Sequence, residues 1–89
     1  MNMHKSLPKL DRPKFEAAIS VSDSGWVDTI FYDPKTQVLD AHLLSGQRYR
    51  YRDVGSLTFA RVVTSKSVGK AFNKYIKPLP SKKLPRKNR

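Results

Sequence analysis

Arginine and tyrosine alternate along Arg48-Tyr49-Arg50-Tyr51-Arg52. On an extended backbone such a run sends its cations to one face and its rings to the other. The chemistry of the cationic face is anion binding, because a guanidinium donates in a planar fork that matches phosphate or carboxylate. A second array follows, where Lys66, Lys70, Lys74 and Lys77 recur at the spacing of one helix face. Lys82, Lys83, Arg86, Lys87 and Arg89 crowd the last stretch. With Trp26, whose ring offers a stacking surface, these residues make up the candidate binding set.

Charge is unevenly placed along the 89 residues, whose formal net charge is +11. Residues 1–53 hold eight lysines and arginines against all seven acids, whereas residues 54–89 hold ten and no acid. Solubility alone gives little reason to exclude every carboxylate from so long a segment. The asymmetry therefore points to a polyanionic partner, with a merely solvated basic tail as the plain alternative.

Reaction chemistry finds no support. His4 and His42 are the only histidines and cysteine is absent, so neither a metal-ligand spacing nor a disulfide framework is present. Nucleophile-elbow and glycine-rich phosphate-loop motifs are also missing. The expectation is a protein with no catalytic residue, metal, cofactor or small-molecule substrate. It shows no apolar leader core and no apolar span of about 20 residues, so a cytoplasmic protein that makes no membrane contact is expected.

The elements that must position these residues fall in one domain over residues 15–80, too short for two cores. Residues 1–14, with Pro8 and Pro13 and no hydrophobic period, are expected to be a flexible arm. Phe15 to Val21 alternates weakly, as an edge strand or, in the alternative, a turn of helix through Glu16 and Ala17, and ends in the turn residues Ser22-Asp23-Ser24-Gly25. Trp26 to Tyr32 is the next strand. Placing Val27, Ile30 and Tyr32 all inward requires a bulge near Asp28, and this sends Trp26 and Phe31 mainly to the outer side, as stacking or partner-anchor rings or as cover for the N-terminal strand.

Val38 to Leu44 turns Leu39, Ala41 and Leu43 inward, and Ser45-Gly46 marks a hairpin. A two-residue loop would pair Leu43 with Arg48 and drive every arginine onto the apolar face. A three-residue loop with Gly46 in the left-handed region avoids this, and the expected register pairs Leu44 with Arg48, His42 with Arg50 and Asp40 with Arg52 on an exposed face. Tyr49 and Tyr51 then face the core, although a stacking role like that of aromatics on RNA-binding sheets is also open to them.

Beyond Asp53 the period changes. Ser56 caps a short helix through Val63, and Ser67 caps a second in which Val68, Ala71, Phe72, Tyr75 and Ile76 share one face, ended by Pro78. Asn73 is a poor mid-helix residue, which implies a specific hydrogen bond. Gly69 permits close approach to the sheet or, as the lesser reading, a phosphate at the helix N-terminus. Residues 81–89 can bury almost nothing and are expected to be a disordered basic tail, dispensable for stability. The fold class expected is α+β: an antiparallel meander of three to four strands followed by two short helices, with disordered basic termini.

From Val21 to Pro80 the order of parts resembles the KTSC family, named for the C-terminus of some lysyl-tRNA synthetases. The likeness rests on Tyr32-Asp33, Leu39, Ala41, Leu43, Gly46, the Y-x-Y pair Tyr49 and Tyr51, Val54, Phe59, Val62 and Val63. It continues through Ser67, Gly69, Phe72, Asn73 and Ile76, and departs at Gly55, where the family commonly has proline. The resemblance implies a small meander followed by helices, suggests nucleic-acid binding, and carries over no catalytic residue.

Two functions are compatible with these features. The first is a module that binds the phosphate backbone of RNA or DNA, since no helix-turn-helix, zinc-finger or RNP pattern supports base readout. The second is a small phage or mobile-element protein that modulates a host protein by capturing its acidic surface, which would place it in the host cytoplasm.

Overall fold

The computed structural model describes residues 13–85. Strands β1 (Ala17–Ser20), β2 (Val27–Asp33), β3 (Val38–Leu43) and β4 (Arg48–Tyr51) are followed by helices α1 (Ser56–Val63) and α2 (Val68–Tyr75) and a last strand, β5 (Ser81–Leu84). All five strands join one antiparallel sheet in the order β1-β2-β3-β4-β5. The α+β class is as expected, with one strand more.

The extra strand corrects the expectation of a disordered tail from residue 81. Ser81 lies opposite Tyr51 and Leu84 opposite Arg48, so β5 covers the edge of β4 that would otherwise expose its N–H and C=O groups. Three of its four side chains are exposed. Main-chain pairing, not burial, holds it in place. Arg86, Lys87 and Arg89 lie outside the described residues, as does the expected arm apart from Pro13 and Lys14. The Lys14 N–H donates to Asp33 Oδ2 at 2.7 Å.

Alternation decides which face is the core. Tyr32, Leu39 and Tyr51 lie side by side across β2, β3 and β4, and all three are buried. Ile30, Ala41 and Tyr49 form the next row. The helices close this face: Phe59 of α1 stacks on Tyr32 with ring centroids 4.1 Å apart, and Phe72 of α2 meets Tyr51 edge-on at 5.7 Å. Phe72, Ile30, Leu39, Ile76, Val27, Val54 and Val62 are fully buried. Each contributes about 1.5–3 kcal/mol by leaving water. The core role expected for Tyr49 and Tyr51 holds, with Tyr51 buried and Tyr49 half-buried against the cluster.

The pairing of β2 with β3 shifts between Val27 and Thr29, the bulge that the inward set Val27, Ile30 and Tyr32 demands. Trp26 nevertheless corrects the expectation of an outward ring. Its N–H donates to Ser24 Oγ in the turn before β2, so strand parity does not govern it. The indole instead packs edge-on against Phe72 and donates from Nε1 to Asn73 Oδ1 at 3.0 Å. This is the specific bond that Asn73 implied. Gly55, not Ser56, is the N-cap of α1 and supplies no side-chain bond, whereas Ser67 caps α2 by accepting from the Lys70 N–H.

Because β5 contributes an edge ladder but little burial, deleting residues 81–89 lowers stability by about 1 kcal/mol, or roughly 4–8 °C in Tm for a domain of this size. Thermal melts of the full and shortened chains check this. An unchanged Tm would show that β5 contributes nothing.

Candidate functional site

The arginines of β4 point away from the helices, onto the bare face of the sheet. Phe31, Asp40, Arg50 and Lys82 lie in one row across β2, β3, β4 and β5, and Thr29, His42, Arg48 and Leu84 lie in the next. The hairpin register that creates these rows differs from the expected one by two residues. Leu44, Ser45 and Gly46 form the three-residue loop, with Leu43 and Gln47 hydrogen-bonded across it and Gly46 at φ 94. Gly46 is in the left-handed region as expected and the arginines keep their face. Their partners change: Asp40 is opposite Arg50 and His42 opposite Arg48, and Arg52 lies beyond the ladder.

Nor is the ion pair exposed. Arg50 donates from Nε to Asp40 Oδ1 at 2.7 Å and from Nη2 to Oδ2 at 2.8 Å, a two-pronged contact to a carboxylate only 3 % exposed. This carboxylate raises the Arg50 pKa further above its ordinary value. Arg48 is also engaged, donating from Nε and Nη2 to the Pro85 carbonyl and so fastening the end of β5. Arg52 and Lys82 are exposed.

Two hollows run along this face and share Arg50. One, of about 350 Å³, is lined by Phe15, Phe31, Asp40, His42, Arg48 and Arg50. The other, of about 190 Å³, is lined by Arg50, Arg52, Pro80, Ser81 and Lys82. Phe31 lies 4.5 Å from the His42 ring and 6.1 Å from that of Phe15, and the Arg50 guanidinium carbon stands 5.9 Å from the centre of the Phe15 ring. Sequence reasoning set Phe31 outward, with cover of the strand that begins at Phe15 as one role, but did not bring His42 to it. The weak alternation of β1 gave no sign that Phe15 reaches over the sheet.

Of the four lysines expected along one helix face, Lys70 and Lys74 lie in α2, with Lys66 just before its cap and Lys77 in the turn after it, on the helix side of the molecule. Lys66, Lys70, Lys74 and Lys77 are exposed, with the Lys77 ammonium 5.1 Å from the Trp26 ring centre and that of Lys74 5.3 Å from Tyr75. Arg61 of α1 lies over the same Tyr75 ring at 5.5 Å, an exposed cation absent from the candidate set. Lys83, paired with Tyr49, shares the helix side of the sheet. The structure thus divides the expected set into a sheet face (Arg48, Arg50, Arg52, Lys82) and a helix side (Lys66, Lys70, Lys74, Lys77, Lys83, Trp26).

The phosphate reading of the α2 N-terminus is corrected, because a carboxylate of the chain itself fills it. Asp23 Oδ1 accepts from the Gly69 N–H at 2.9 Å, and Oδ2 accepts from the Ser67 hydroxyl. A Cβ on Gly69 would come within 3.1 Å of the Asp23 backbone oxygen, so glycine serves close approach to the β1–β2 turn. The Ser67 hydroxyl first, and then the Gly69 N–H, hold the Asp23 carboxyl below its ordinary pKa. Asp33 is likewise lowered, first by the Lys14 N–H and then by the Thr36 hydroxyl and the Lys35 N–H. Among the described residues no three His, Cys, Asp or Glu side chains gather as a metal would need, and no helix is long and apolar enough to cross a membrane.

A lowered carboxylate pKa stabilises the fold above the ordinary value near 4, and that contribution is lost as pH falls through the lowered native value. Asp23→Asn therefore lowers Tm at pH 7. The gap from the unsubstituted chain closes below about pH 4. Melting curves from pH 7 to pH 2 check this, and a gap that stays constant over that range would contradict it.

The KTSC domain model matches residues 23–79. Among solved structures, the crystal structure of a KTSC domain protein from Yersinia pestis is similar, with a TM-score of 0.67 at 24 % identity over 78 % of this chain and 97 % of that one. No curated protein matches the chain. The matched span holds strands β2, β3 and β4, both helices and the Tyr49/Tyr51 pair, and the chain belongs to the KTSC domain family.

Proposed function

We propose that this KTSC domain is a non-enzymatic nucleic-acid-binding module of the cytoplasm that contacts the phosphate backbone through the bare face of its sheet. The observation that carries the reading is the fate of three acids, Asp23, Asp33 and Asp40, while Glu16, Asp28 and Asp53 stay exposed. Asp23 and Asp33 are consumed by hydrogen bonds within the fold, and Asp40 is consumed by Arg50. Arg50 with Asp40 forms a salt bridge at 2.7 Å. No other described lysine or arginine forms a salt bridge, on a chain of net charge +11.

Such a field attracts polyanions and raises their rate of encounter. Arg52 and Lys82, exposed beside Arg50, present the free cations of the sheet face, with Arg48 at its border. Backbone contacts carry no sequence information, so binding is expected to tolerate any base order and to extend to both RNA and DNA. On the far side the α2 lysines add to the field and to the encounter rate; a strand lying on the sheet does not reach them.

Three to four phosphate contacts give a plot of log K against log salt with a slope of about −3 on duplex DNA and about −2 to −3 on single strands. Charge reversal at Arg52 and Lys82 flattens that slope by about 2 and weakens binding whatever the sequence. Reversal at Lys70 and Lys74 slows association while leaving the slope nearer its original value. Salt titrations with labelled RNA and DNA measure all of these. Absence of binding to either at low salt would overturn the reading in favour of an acidic protein surface as partner.

A further inference from the structure

Phosphate contacts leave the aromatic hollow of the sheet face unused. Its walls are the rings of Phe15, Phe31 and His42, and its rim is cationic. We infer that this hollow receives one unpaired base of a single strand, stacked against Phe31, while the adjoining phosphate rests between Arg52 and Lys82. The inference rests on the nucleic-acid reading and adds to it the form of the ligand.

Three features of the hollow fit a base and its phosphate better than an apolar side chain of a protein. First, the walls are flat rings, which stack on any of the four bases because each has a π-face. Second, the one acid in the lining, Asp40, is 3 % exposed and has both oxygens bound to Arg50, so the hollow does not repel an anion at its mouth. Third, the second hollow begins at the same Arg50 and is lined by Arg52 and Lys82, which supplies cations next to the rings. At about 350 Å³ the first hollow lies at the lower end of the roughly 300–1,000 Å³ typical of small-ligand sites.

A duplex cannot use this arrangement, because its bases are stacked inside and only its phosphates reach the surface. Preference for single strands over duplex is therefore built into the face, not into any motif for base identity. Asp40 contributes as a positioning residue, since it sets the Arg50 guanidinium between the two hollows and 5.9 Å from the centre of the Phe15 ring.

The test compares, at one salt concentration, a labelled single-stranded oligonucleotide, an abasic strand with the same number of phosphates, and a duplex. For the unsubstituted protein the base-bearing strand binds roughly tenfold or more tightly than the abasic strand, the scale of one stacked base. Phe31→Leu keeps apolar cover but removes the ring, and it erases that difference while leaving abasic and duplex binding unchanged; Phe31→Tyr restores it. Equal binding of base-bearing and abasic strands by the unsubstituted protein would overturn the inference and leave backbone binding standing. A folded Phe31→Leu protein that still prefers the base-bearing strand would overturn it as well. No binding to any of the three ligands would remove both the inference and the reading on which it rests.

Discussion

A sheet with helices on one side only imposes a single constraint on this chain: the central strands β2, β3 and β4 must present one face that can be buried and one that can stay wet. The rows Tyr32, Leu39, Tyr51 and Ile30, Ala41, Tyr49 meet the first demand. Because the side-chain period of a strand is two, Arg48, Arg50 and Arg52 are then carried to the other face, and a slip by one residue would bury them. Core and cationic surface are consequences of the same alternation. A change that moved the register would destroy both together.

The acids complete the electrostatic argument. Asp23 closes the N-terminus of α2, where the Ser67 hydroxyl and the Gly69 N–H receive it, and this ties the β1–β2 turn to a helix more than forty residues away. Asp33 accepts from Lys14, Lys35 and Thr36 and fixes the β2–β3 turn together with the N-terminal approach to β1. Asp40 is nearly enclosed beneath the Arg50 fork. These three carboxylates are engaged within the fold, and apart from Arg50 no described lysine or arginine forms a salt bridge. Most of the described lysines and arginines are exposed, and their excess over the acids acts over about a Debye length, roughly 8–10 Å.

Much of the fold was legible because burial has a period. The inward sets of β2, β3 and β4, the bulge beyond Val27 and the cap at Ser67 follow from local pattern alone. Burial fixes a face but not a partner, which is why a three-residue loop begun at Leu44 in place of Ser45 keeps the arginines outward and moves Asp40 from Arg52 to Arg50. Strand β5 was illegible because Ser-Lys-Lys-Leu has no apolar alternation and gains from the backbone of β4. Trp26 was misplaced because it belongs to a turn, where parity carries no information. The grouping of Phe15, Phe31 and His42 joins three separate segments, and no local signal in any of them announces the other two.

The most direct test of the central claim is the position of the bound nucleic acid on the folded domain. Backbone amide shifts followed by NMR during titration of the labelled protein with a short single strand supply it. The largest changes are expected around Thr29, Phe31, Asp40, His42, Arg50 and Lys82, on the face opposite the helices. Changes confined to the helix side, around Lys70 and Lys74, or no changes at low salt, would contradict it.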